Sequence, residues 1–373
     1  MMAGPFHADG RLHLEVLPAK HGDCLLLRWG TATGEGRMLI DAGPAEAYEA
    51  IATRLRALDD RHIDMLVLTH IDTDHIEGTI LLANDASLGL SIGEIWYNGA
   101  PQLTSELKPV HGEILGTLIA QRAIAWNAAF GGGPVYAPET GNLLVRELAG
   151  GLRLTVLAPG VRSLRRLRDA WEETCRKEGL PMGSVAGALA ALKARPSLIP
   201  AQAYLSRPPA MDVRKLARSR AGSDNSIPNA SSIVLLVEYG QLRILLTGDV
   251  TPAALTAAVG RLLAERELDS LPLTAFKIPH HGSAKNITAD LVRRLPADHY
   301  VFSADGSHFG HPHDSAVATV LEYGPAQTEL VFNYDTPRMR QWDDDRLRDT
   351  YCYQVRYPNA GEAGVGLVWR RAP

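Results

Sequence analysis

Four potential metal ligands fall within six residues in His70-Ile71-Asp72-Thr73-Asp74-His75. Imidazole nitrogens combined with carboxylate oxygens suit zinc, and a larger share of oxygen shifts the preference toward manganese or magnesium. The chemistry such a cluster supports is metal-assisted hydrolysis. Asp64 to Thr69 reads as a short buried strand, and Ile76-Glu77-Gly78-Thr79-Ile80-Leu81-Leu82 resumes a helical spacing. The ligands are therefore expected on a strand-to-helix turn at the carboxyl end of a strand, where α/β proteins gather ligands. A single His-x-Asp would read as a solvated loop, but four ligand types behind a buried strand point to a site.

Three further apolar runs end in ligand-type residues: Leu39-Ile40-Asp41, Leu245-Leu246-Thr247-Gly248-Asp249, and Phe276-Lys277-Ile278-Pro279-His280-His281-Gly282-Ser283. Taken alone, Asp41 or Asp249 is as well explained by a turn or cap. Adjacent histidines after a strand are scarcer. His311 lies in Ser307-His308-Phe309-Gly310-His311-Pro312-His313, a loop ahead of a helix starting near Asp314, and is a site candidate; His308 and His313 are weaker ones. His7, His13, His21, His62, His111 and His299 fall outside the pattern and read as structural or exposed.

The elements that must position these residues follow from the patterning. Strands are expected over 11–18, 23–29 and 37–41, a helix over 45–58, a strand near 92–97, a helix near 110–129, and strands near 143–147 and 152–158. Strands at 231–237 and 243–249 flank a hairpin turn at Tyr239-Gly240-Gln241. Helices near 251–266, 285–295 and 314–324 then alternate with strands near 273–278, 299–303 and 328–333. Residues 335–373 read as a C-terminal extension with possible strands at 351–357 and 365–369, and 1–373 as one hydrolase domain.

Residues 161–224 break this pattern with helical, Ala-rich runs. They hold 13 basic and 6 acidic residues, a net of +7, whereas the remainder (38 − 13 = 25 basic, 42 − 6 = 36 acidic) carries −11. The segment thus reads as a basic helical insertion on an acidic body. Arg165 and Arg166 within it are candidates for phosphate contact, against the alternative of a solvated helix face. Overall charge is −4, so no global field holds a polyanion. No run of eighteen apolar residues and no signal-peptide pattern appears, and Cys24, Cys175 and Cys352 form no Cys-x-x-Cys pair. A cytoplasmic protein with three packing cysteines is expected.

In chain order, His21-Gly22-Asp23-Cys24, Leu39-Ile40-Asp41-Ala42-Gly43, Thr69-His70-Ile71-Asp72-Thr73-Asp74-His75, Asn229-Ala230-Ser231-Ser232, Leu246-Thr247-Gly248-Asp249, Pro279-His280-His281-Gly282-Ser283 and Gly310-His311-Pro312-His313 resemble the metallo-β-lactamase superfamily. Within it they resemble the hydrolase domain of the ComEC competence proteins, here without a membrane channel. The resemblance implies a four-layer αββα sandwich of mixed α/β class, with two divalent metal ions (zinc, or manganese or magnesium) at one edge of the paired sheets. It implies His70 and Asp72 on one metal, Asp74 and His75 on the other, Asp249 bridging, and a further ligand from His280 or His281, a choice that stays open. Asp41 would orient a ligand from behind.

The superfamily more commonly has histidine at the position of Asp72 and a further histidine near Asn229; Asp72 is shared with the ComEC-like branch. Asn229 would donate its amide oxygen or bind substrate. The implied mechanism is two-metal hydrolysis, in which a water shared by cations roughly 4 Å apart reaches a pKa of about 7. Asp74 would hold the nucleophile, and whichever of His281 and His311 is not a ligand would protonate the leaving group or bind phosphate. Lys277, Ser283, Lys285 and Ser231 complete the candidate substrate-binding set. The expected function is a phosphodiesterase or nuclease, with a nucleic-acid or phosphodiester substrate and a partner protein encoded nearby as a possibility. A small-molecule ester or lactone hydrolase, or a binding module that has lost catalysis, are the alternatives.

Overall fold

The computed structural model describes residues 10–31, 34–103, 114–171, 173, 211–219 and 221–371. Six strands come first: β1 (Arg11–Val16), β2 (Leu25–Thr31), β3 (Gly34–Ile40), β4 (His62–Val67), β5 (Ser91–Trp96) and β6 (Ala125–Trp126). Then follow β7 (Leu144–Leu148), β8 (Leu152–Ala158), β9 (Val234–Tyr239), β10 (Leu242–Leu246), β11 (Leu273–Lys277), β12 (Ala297–Phe302), β13 (Glu329–Phe332), β14 (Gln354–Arg356) and β15 (Val365–Arg370). They form a seven-stranded sheet in the order β15-β1-β2-β3-β4-β5-β6 and an eight-stranded sheet in the order β14-β13-β12-β11-β10-β9-β8-β7.

Period-two alternation gives each central strand two apolar faces, because both sides of both sheets are covered. Leu12, Leu14, Leu25 and Leu27 of one sheet share a core with Leu235, Val237, Ile244 and Leu246 of the other. The alternate residues Leu26 and Leu39 face outward against Ile51 and Leu55 of the Tyr48–Arg56 helix and Ile76 and Ile80 of the Thr73–Asn84 helix. Leu236, Leu245 and Phe276 face the other way, onto the Pro252–Glu265, Ala289–Arg294 and Asp314–Tyr323 helices. The result is the αββα layering that the resemblance implies.

Several elements differ from the sequence expectation. The helix anticipated over 110–129 is described only as Ile114–Gln121, and β6 follows it. Ala123 and Asn127 adopt left-handed φ values of 51° and 47°, which a helix cannot accommodate. Asn127 instead fastens this stretch to the end of β5, accepting from Tyr97 N at 2.9 Å and donating to Tyr97 O at 3.0 Å. The ligand helix begins at Thr73 rather than Ile76, so Asp74 and His75 sit in its first turn. Cys352 is exposed, not a packing residue, because it ends the Asp345–Tyr351 helix in a left-handed conformation; Cys24 is buried.

The segment after 335 supplies an edge strand to each sheet, β14 beside β13 in parallel and β15 beside β1 antiparallel. Of the basic 161–224 stretch, the helices Val161–Asp169 and Val213–Ala217 are described, while Cys175 and most of the expected insertion lie outside the described residues. No helix among the described residues is long and apolar enough to cross a membrane.

Candidate metal centre

β3 ends at Ile40, and the chain then turns through Asp41 with φ at 56°, a conformation that Asp tolerates better than most residues. Its buried carboxylate takes three hydrogen bonds. Oδ1 accepts from Thr69 N at 2.8 Å, and Oδ2 accepts from Thr69 Oγ1 at 2.8 Å and lies 2.8 Å from His75 Nδ1. With its hydroxyl proton spent on Asp41, Thr69 Oγ1 is left as the acceptor for His70 Nδ1 at 3.0 Å. Each imidazole thus has its Nδ1 engaged from behind, which leaves Nε2 as the atom turned toward the cluster, the orientation that a metal-ligating histidine needs.

Opposite them stand the ends of β10 and β11. His75 Nε2 lies 3.4 Å from Asp249 Oδ1, and His281 Nε2 lies 3.2 Å from Asp249 Oδ2 and 3.4 Å from Asp74 Oδ2. His70 Nε2 is 3.5 Å from Asp72 Oδ2, and the His70 and His75 rings are 4.2 Å apart. Burial opposes charge on His75 and His281, but the surrounding carboxylates, Asp249 foremost, overcome it and hold both imidazoles well above their ordinary range. In return the imidazoles of His281, His280 and His75 hold Asp249 well below the usual carboxylate range despite its burial.

The fit to a cation is testable on the polar atoms themselves. The Nε2 atoms of His70, His75 and His281 and the Oδ1 atoms of Asp72 and Asp249 are buried without a hydrogen-bond partner. Buried polar atoms ordinarily find a hydrogen bond, and these five, all ligand atoms of one cluster, meet their neighbours only in ion-pair contacts or not at all. Asp23, His75, Asp249 and His281 also offer ligand atoms within 4.8 Å of one another. Asp23, however, is already engaged: Oδ1 lies 3.1 Å from His281 Nδ1, and Oδ2 pairs with Lys277 Nζ at 2.5 Å. It backs His281 as Asp41 backs His75.

His280 and His281 adopt consecutive left-handed conformations, φ 51° and 54°, which is strain held by the surrounding fold. His280 Nε2 lies 3.6 Å from Asp249 Oδ2, and its Nδ1 lies 3.3 Å from Asp224 Oδ2 and 3.2 Å from Asn286 Oδ1. Asp224 also accepts from Asn229 Nδ2 and Asn286 Nδ2, both at 2.8 Å, which leaves Asn229 Oδ1 buried and unpaired. Three histidines therefore each have a carboxylate behind them. Asp224 and Asp23 carried no role in the sequence reading; Asp23 was visible only as part of the His21-Gly22-Asp23 motif.

The remaining candidates are placed as follows. His311 is buried, 6.2 Å from the His281 ring and 5.3 Å from the His280 ring. Burial, reinforced by those two imidazoles, pushes its pKa down to about 2. Lys277 is buried on Asp23 rather than presented as a surface cation. Ser231 donates to Pro228 O at 2.6 Å, and Ser283 Oγ accepts from Lys285 N at 3.3 Å, so both hydroxyls serve the backbone. Lys285 lines a cavity of about 630 Å³ together with Ser223, Thr256, Thr288 and Ser315. Arg165 and Arg166 lie exposed on the Val161–Asp169 helix, whose Leu164 and Leu167 are buried; among the described residues no ion pair joins either arginine to the cluster. His21, which read as structural or exposed, lies with its ring 5.0 Å from His308 and 6.4 Å from Phe309.

Comparison with known proteins adds a family. The family model described as the metallo-beta-lactamase superfamily matches residues 17–107. No curated protein matches the chain. Among solved structures, a metallo-beta-lactamase with a HARLDQ motif from Cronobacter sakazakii (Enterobacter sakazakii) aligns at 19% identity over 38% of this chain and 50% of its own, with a TM-score of 0.22. CmlA, a diiron beta-hydroxylase from Streptomyces venezuelae, aligns at 14% identity over 97% of this chain and 54% of its own, TM-score 0.39. The MIM-2 metallo-beta-lactamase aligns at 13% identity over 83% and 86%, TM-score 0.30. The chain spans about half the length of the first two. The family match takes in β2 to β5 and the whole of the His70 to His75 stretch, so this part of the chain is similar to the metallo-beta-lactamase superfamily, and the residues it brings together with Asp249 and His281 form a candidate metal site.

Proposed function

We propose that the protein is a metal-dependent phosphodiesterase or nuclease. The observation that carries the metal part is the convergence of five buried ligand atoms from His70, Asp72, His75, Asp249 and His281 that make no hydrogen bond. The phosphodiester part rests on the ComEC-like motif set and on the oxygen-rich character of the cluster, since Asp72, Asp74 and Asp249 favour hard cations such as manganese or magnesium over zinc. Two divalent cations held there would supply Lewis acidity toward a phosphoryl oxygen and lower the pKa of a water to about 7.

In this reading His70 and Asp72 hold one cation, Asp74 and His75 the other, and Asp249 lies between them. His281 is the ligand of the histidine pair, because its Nε2 faces both Asp74 and Asp249 while Asp23 fixes its ring. His280, held by Asp224, completes the side nearer Asn229, whose free amide oxygen faces substrate or metal. His311, neutral at pH 7, binds the phosphoryl group or leaving oxygen by hydrogen bonding rather than serving as the acid. Asp74 orients the attacking water.

The deciding experiment loads the purified chain with manganese, magnesium or zinc and offers single- and double-stranded DNA, RNA, cyclic nucleotides, chromogenic phosphodiesters and carboxylic esters. Turnover of a phosphodiester that falls at least 100-fold in the Asp74→Ala, Asp249→Ala double variant, with metal content lost in parallel, is the expected result. Turnover confined to carboxylic esters would replace this reading with an esterase. Absence of tightly held metal after reconstitution would replace it with a binding module. Charge reversal at Arg165 and Arg166 is expected to weaken polyanion binding and flatten its salt dependence.

A further inference from the structure

Phe309 is the most exposed large hydrophobic side chain among the described residues, at 56%, and its ring lies beside that of His311. It does not stand alone. The His308 ring meets it edge-on at 4.0 Å, His21 lies 6.4 Å away, and His311 lies 5.7 Å away on the side of the metal centre. His311 in turn stacks on His281 at 6.2 Å with 26° between planes, so one ring separates Phe309 from a ligand-type histidine. The other flank is tied down as closely. Gly22, next to His21, packs so tightly on the Asp74 carbonyl that a Cβ there would fall 1.8 Å from its oxygen.

A single exposed phenylalanine is ordinary, but one buttressed by three imidazoles within reach of the reacting centre has a use. Its free face is apolar and polarisable, and its neighbours hold it in place. We propose that Phe309, backed by His308 and His21, is a specificity-determining platform on which a planar ring of the substrate stacks beside the metal centre. The ring class is aromatic, a nucleobase or an aryl group on the non-leaving side of the scissile bond; the nucleobase form rests on the phosphodiesterase reading, and the platform itself does not.

The test uses the metal-loaded chain and matched substrate pairs that share a leaving group and differ in whether the non-leaving group carries a planar aromatic ring. Thymidine 5′-(p-nitrophenyl) phosphate is set against methyl p-nitrophenyl phosphate, and p-nitrophenyl benzoate against p-nitrophenyl acetate. Stacking of this kind amounts to about 5- to 150-fold in affinity. Phe309→Ala is expected to lower the ratio of kcat/KM between ring-bearing and methyl members about tenfold, through KM, and Phe309→Tyr to restore it. Equal losses on both members of a pair, or an unaltered ratio, overturn the platform. Discrimination seen only in the ester pair keeps the platform and removes the phosphodiesterase reading. Should no pair turn over, calorimetric titration with thymidine 5′-monophosphate against 2-deoxyribose 5-phosphate decides: equal affinities in the wild type overturn the proposal, and a preference for the nucleotide abolished by Phe309→Ala supports it.

Discussion

Asp41 shows how much one carboxylate accomplishes when its hydrogen-bond capacity is fully used. It fixes Thr69 through backbone and side chain, and through these it sets the orientation of both His70 and His75. Asp41→Asn keeps the shape but replaces an acceptor oxygen with a donor amide. Metal affinity is expected to fall 10- to 100-fold, read by chelator competition; an unchanged affinity would reduce Asp41 to a turn residue. The residues that announce themselves in the sequence do so because ligand-type side chains rarely end apolar strands: Asp41, His70 to His75, Asp249 and the His280-His281 pair could all be picked out, though not which histidine of the pair faces the cluster. Asp23 and Asp224 could not. Their partners, His281 and His280, lie 258 and 56 positions away, and nothing local marks a carboxylate whose role is to sit behind a distant ring.

At the scale of elements, the strands were legible where both faces are apolar, and the breaks were not. Gln121 to Asn127 has helical composition, yet Ala123 and Asn127 turn left-handed because the Asn127 side chain satisfies the end of β5. The start of the ligand helix was misplaced for a related reason, since Asp72 and Asp74 read as loop residues until the helix takes Asp74 into its first turn. That first turn is held by the backbone contact with Gly22. Gly22→Ala forces the loop and helix apart at the point where Asp74 and His75 emerge. Reduced metal affinity together with a destabilisation of about 1–3 kcal/mol is expected, measured by chelator competition and urea unfolding; a wild-type response in both would mean that the contact is slack.

For the whole molecule, stability has a pH dependence that originates far from the ligands. His13 on β1 is partly buried beside Arg28, and desolvation foremost lowers its pKa from 6.5 to about 4. Between those values the unfolded chain binds the proton and the folded one does not, so this contribution to stability is fully present above pH 6.5 and is lost as the pH falls toward 4. His13→Gln is expected to lessen the fall in urea midpoint between pH 7 and pH 5; parallel falls in both proteins would exclude His13.

The site itself straddles the two sheets. His70 and His75 follow β4 of one, whereas Asp249 and His281 follow β10 and β11 of the other. A cation gripped by both groups would act as a clasp across the seam, so removing it would loosen tertiary structure as well as stop turnover. Mass action sets the scale: at metal concentrations near 100 times the dissociation constant, the clasp adds about 2.7 kcal/mol to the stability of the folded chain. Melting temperature is expected to climb with added manganese or zinc and drop on chelation, and Asp249→Ala to flatten that response. Here the catalytic cofactor would double as a fastening, and metal starvation would be felt first as a protein coming apart along its middle.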